Sequence, residues 1–109
     1  MTNPSVDLLI NAGRVFCADS GLDGPGAVAV KGDRIIAAGY DVCDEFPDAK
    51  QILSFPDALL IPGLIDFHAH PASAEWFAGI DPDSYILARG TTTALSQGDA
   101  GSDTWKLYF

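Results

Sequence analysis

Histidine is scarce in this 109-residue chain: it has two, His68 and His70. Basic residues are few, 6 Lys and Arg against 15 Asp and Glu, for a formal net charge of -9. That balance excludes a nucleic-acid binder, which needs a basic surface to meet phosphates. Only two cysteines occur, Cys17 and Cys43. Without a secretory signal they read as small hydrophobes in a reducing compartment rather than as a disulfide. The N-terminus, "MTNPSVDLLI", lacks the basic and long apolar regions of a signal peptide. No apolar run approaches the roughly 20 residues of a membrane helix. A cytoplasmic protein with no membrane partner is therefore expected. Repeats and low-complexity tracts are also missing. What is present, 48% hydrophobic and 19% charged residues, suits a packed globular protein and argues against disorder.

The chain reads as two parts, residues 1–61 and 62–109. In the first, "DLLI" and "RVFC" flank Asn11-Ala12-Gly13, a hairpin signal. "GLDGPG" (21–26) is dense in turn residues and should break the chain. "AVAV" and "RIIAA" flank Lys31-Gly32-Asp33, a second hairpin, and Gly39 ends that strand. "DVCDEFPDAK" is polar and reads as a connecting loop. "QILSF" and "ALLI" flank Pro56-Asp57, a third strand–turn–strand candidate. Short segments rich in Val, Ile and Leu predict a small sheet or half-sandwich.

After Pro62-Gly63 the pattern changes. "LIDFHAH" predicts a strand, and "PASAEWFAGI" a loop. "DPDSYILARG" predicts a helix: Asp81 can cap it, Pro82 fits the first helical position, Asp83 suits the positive end of the dipole and Gly90 suits the exit. "TTTALS" is a second strand. Strand, helix, strand is a parallel crossover unit, which places the second part in the α/β class. A further helix could open at Ser102 or Asp103 in "SDTWKLYF", with Trp105, Tyr108 and Phe109 on its packed face. Two parallel strands need cover on both faces. We therefore expect a truncated chain, the front of a longer one. Completion by other copies, a homo-oligomer, is the alternative.

Both histidines lie in "LIPGLIDFHAHP", residues 60–71. Side chains alternate across a strand, so Asp66, His68 and His70 share one face. Ile65, Phe67 and Ala69 take the other. Two imidazoles side by side can bind one divalent cation, at about 2.0–2.1 Å for zinc. Asp66 could accept the spare ring N–H of a ligand histidine and so orient it. A solvent-facing pair on an edge strand is the bland alternative. A cupin barrel also uses His-x-His, but wants a later histidine that this chain does not have.

"LLIPGLIDFHAHP" resembles the opening barrel strand of the amidohydrolase superfamily, Pro-Gly-hydrophobic-Ile-Asp-x-His-x-His. Pro62, Gly63, Ile65, Asp66, His68 and His70 all match. "DLLINAGRVF", "GPGAVAVKGDRIIAAG" and "ALLIPG" are similar to strands of the small β-sandwich these enzymes carry. "RGTTTALSQGDAG" is similar to their second barrel strand. The resemblance runs from about Asp7 to Gly101. It implies sandwich strands over 1–61 and the first βαβ of a (β/α)8 TIM barrel over 62–109, with the chemistry at the barrel's C-terminal mouth. It further implies one or two divalent metals, zinc foremost, held by His68 and His70, and a metal-activated water that hydrolyses a C–N bond of a small amide or cyclic amide. The other ligands (typically a lysine or glutamate and two histidines) and a proton-shuttling aspartate come from later strands. No catalytic residue is thus expected in this segment, and the 109 residues alone should be inactive. "DAGSDTW" is similar to the dihydroorotase and N-acyl-amino-acid deacetylase branches. Asp99, with Gln97 and Ser96, could line the substrate side of the mouth, or Asp99 could cap a turn with Gly98 and Gly101. Glu75, Trp76 and Phe77 could touch substrate or pack the loop. The competing reading is a β-rich interaction module that binds no metal.

Overall fold

The computed structural model describes residues 5–71 and 79–107. They form two compact units, Met1–Pro62 and Gly63–Phe109.

The first unit is a four-stranded sheet in the order β3-β2-β1-β4, built from β1 (Leu8–Cys17), β2 (Leu22–Lys31), β3 (Arg34–Gly39) and β4 (Gln51–Leu60). β1 and β2 are antiparallel, as are β2 and β3, whereas β4 runs parallel to β1. A single helical turn, α1 (Val42–Glu45), lies in the β3–β4 connection. Apolar side chains cluster on both faces of the central strands. Val6, Leu9, Ala27, Ala29, Val42 and Phe46 form one cluster. Ala12, Val15, Leu22 and Val28 form the other. Ala27 and Ala29 alternate with Val28 along β2, so the clusters lie on opposite faces. This explains why "AVAV" is a continuous apolar run: β2 is covered on both sides. Cys17 and Cys43 are free, half-buried thiols, each packed against one cluster.

The hairpin at Lys31-Gly32-Asp33 forms, with Lys31 opposite Arg34. The other two expected turns do not. Residues 8–17 are one strand, and so are residues 51–60. Both differences have one cause. Ala12 pairs with Phe55 and Arg14 with Leu59, so Gly13 alone faces Pro56, Asp57 and Ala58. Towards β2, Gly13 and Arg14 together face Pro25. Gly13 is a bulge residue. A Cβ built on it would sit 1.8 Å from the Pro56 carbonyl oxygen, so glycine serves close backbone approach, not a turn. Pro56 is tolerated because β4 is an edge strand. Likewise "GLDGPG" does not break the chain. The turn ends at Gly21, and β2 runs on through Pro25 opposite the bulge.

The second unit holds β5 (Leu64–Ala69) and β6 (Thr91–Ser96), paired in parallel. Between them α2 (Pro82–Tyr85) starts as expected: the Asp81 carboxylate accepts the Ser84 N–H at 3.2 Å, and Pro82 stands in the first turn. The helix is shorter than its signals suggest. After one turn it tightens to a 3₁₀ turn, Leu87–Arg89, that ends at Gly90. At the C-terminal end the anticipated helix is a 3₁₀ turn, Trp105–Leu107. Tyr108, Phe109 and the Glu75-Trp76-Phe77 segment lie outside the described residues.

A candidate metal centre at the strand ends

Parallel pairing brings the C-terminal ends of β5 and β6 side by side, with Ala69 opposite Ser96. The pair starts from Gly63, where a Cβ would fall 2.1 Å from Thr92 Oγ1; any larger residue would displace Thr92. At the far end the Gln97 N–H donates to the Ala69 carbonyl (3.1 Å), and the Gln97 side-chain amide donates to the Phe67 carbonyl (3.1 Å). The Ile80 N–H donates to the His70 carbonyl (3.0 Å). These bonds hold the end of β5 from both sides.

His68 is exposed and His70 half-buried. Their ring centres lie 5.6 Å apart at an interplanar angle of 69°. Two imidazoles on one zinc, each bound at about 2.0–2.1 Å, would have ring centres about 5 Å apart, close to the spacing of this pair. Asp66 turns towards its own strand: Oδ1 accepts the His68 backbone N–H at 3.0 Å.

Asp99 is the residue whose role the sequence hides. Its side chain has 0% exposure. Oδ1 meets His70 Nδ1, and Oδ2 accepts the Ser96 hydroxyl at 2.9 Å. The expectation put such a carboxylate at Asp66, two residues along the strand. The structure finds it 29 residues on from His70. The available signal was Ser96 three residues before Asp99 at the end of a strand, too weak to name the partner.

The donor set fits a divalent ion in kind but not in number. Among the described residues, no group of three or more His, Cys, Asp or Glu is placed to hold a metal, and catalytic zinc takes three protein ligands.

No family model matches the chain. Relatives do. A probable allantoinase of Oryza sativa subsp. japonica is 39% identical over 75 residues, covering 66% of this chain and 15% of the relative. The homologues this chain matches are amidohydrolase superfamily members, each matched over only part of its length. An adenosine deaminase from Xanthomonas campestris, solved with bound zinc, is 36% identical, with a TM-score of 0.55 over 62% of this chain and 16% of that one. An N-acyl-D-glutamate deacylase from Bordetella bronchiseptica, solved with zinc and a phosphonate inhibitor, shares the fold. Its TM-score is 0.65 at 23% identity, over 85% of this chain and 19% of that one. The chain thus spans less than a fifth of each of these amidohydrolases. No described helix is long and apolar enough to cross a membrane.

Proposed function

We propose that this chain supplies the first βαβ unit of a (β/α)8 barrel hydrolase, preceded by strands of a small β-sandwich, and that His68 and His70 hold a divalent metal there, zinc foremost. The observation that supports this reading most directly is the histidine pair itself: two rings 5.6 Å apart at the C-terminal end of a parallel strand, where barrel enzymes keep their chemistry. A divalent ion at that place supplies Lewis-acid chemistry, activating water and polarising a carbonyl. The chain's own part is to present two imidazoles from a braced strand end. The third ligand and the proton-transferring group come from later strands. The substrate is a small molecule with an amide, cyclic amide or related C–N bond. The acidic balance supports neither nucleic acid nor an anionic membrane surface as a partner, and the free thiols suit the cytoplasm.

The test is metal content and hydrolysis in the complete protein. Wild type should carry about one or two equivalents of metal after dialysis, measured by plasma mass spectrometry, and should cleave a member of an amide and cyclic-amide panel. His68→Ala and His70→Ala should each reduce turnover to background. A complete, folded wild type that holds no metal would favour the interaction module instead.

A further inference from the structure

We propose that Asp99 is the positioning residue for the metal ligand His70, with Ser96 as its brace, rather than a group on the substrate side. This inference rests on the metal reading above. An imidazole presents a lone pair from one ring nitrogen, and the hydrogen bond at the other nitrogen decides which. An ionised carboxylate can only accept. Asp99 Oδ1 faces His70 Nδ1, so the proton sits on Nδ1 and the lone pair on Nε2. Nε2 is then the metal-binding atom.

The carboxylate is well placed to enforce this choice. Its side chain is fully buried, and a buried charge is tolerated only when bonded. Its second oxygen takes the Ser96 hydroxyl at 2.9 Å. Ser96 is the last residue of β6 and lies opposite Ala69, next to His70 in the chain. Ring and hydroxyl thus hang from two paired strand ends, and the carboxylate reaches them from the loop that follows β6. A chain of this kind fixes ring rotation as well as tautomer. Asp66 offers His68 something different, a bond to the backbone N–H at 3.0 Å.

The experiment measures zinc affinity of the complete protein by competition with a chromophoric chelator, alongside ¹⁵N spectra of the histidine rings. Wild type should show Nδ1 protonated and Nε2 metal-bound at His70. Asp99→Leu keeps the branched shape at a larger volume and removes both acceptor oxygens; it should weaken zinc about 100-fold and mix the tautomers. Asp99→Asn keeps an acceptor oxygen without the charge; it should retain the tautomer and weaken zinc about 10-fold. Should circular dichroism show that Asp99→Leu does not fold, Asp99→Asn decides. Zinc affinity within threefold of wild type in the folded variants, with unchanged ring spectra, would overturn the proposal while leaving the metal reading intact. A wild type that binds no zinc would overturn both.

Discussion

The two units solve the problem of apolar surface differently. In the first, β1 and β2 are sandwiched between two clusters, and residues such as Val6, Leu9, Ala27 and Ala29 are 2% exposed or less. In the second, Ala69 and Ile86 alone among the described hydrophobics are buried, while Ile65 is 57% and Phe67 73% exposed. Both units are sheets of similar composition. The difference lies in strand order. Four strands with a returning loop can cover their own centre, whereas a two-stranded parallel pair with one short crossover cannot. Ile65 and Phe67 share the face opposite the histidines, so the histidine pair stands on one side of β5 and the uncovered apolar surface on the other.

The sharpest way to break this contrast is Phe67→Ala in the complete protein. If that face of β5 is covered by barrel helices, as proposed, the change should cost about 4 kcal/mol in urea denaturation. An effect within about 0.5 kcal/mol would mean that the surface stays as open as it is here. Next in size is Gly13→Ala. Its new methyl meets backbone, so β1 and β4 must part. We expect a loss of about 3 kcal/mol, read as roughly 100-fold faster hydrogen exchange of the β1 amides and no change at β5. Equal loss in both units would show that they unfold together.

The smallest effect is acid sensitivity of the first unit. Lys50, 2.6 Å from Asp7, and the Gly32 N–H hold the Asp7 carboxyl below its ordinary range. Arg14 does the same for Asp23 through two hydrogen bonds, 2.6 and 3.0 Å. A carboxylate with a depressed folded value stabilises the fold above the ordinary value and loses that contribution as pH falls through the depressed one. Opening of β1–β2 should therefore increase below about pH 4. Because these pairs are exposed, the change should be slight and should shrink in high salt. An unchanged exchange rate down to pH 2.5 would show that the pairs contribute nothing.

Local signals were legible in the sequence where a residue's own chemistry decides the structure. Asp81, Pro82 and Gly90 bound the helical segment because a cap, a preset φ and a C-terminal glycine act within one turn. The shared face of Asp66, His68 and His70 followed from the two-residue period of a strand. Gly13 and Pro56 misled for the opposite reason. Each looks like a turn by itself, and only their pairing across 43 positions shows that they make one bulge. Asp99 was hidden in the same way. Periodicity gives the face of a side chain but not a partner from another part of the chain, so it points only to Asp66, beside the histidines on β5.

The bulge also changes how this sequence can vary over descent. A side chain at position 13 is excluded by a carbonyl at position 56, and the three residues 56–58 fit because one residue faces them. The two sites are therefore sterically coupled. A chain that shortened 56–58 would free position 13 for a side chain, and one that keeps them should hold the glycine.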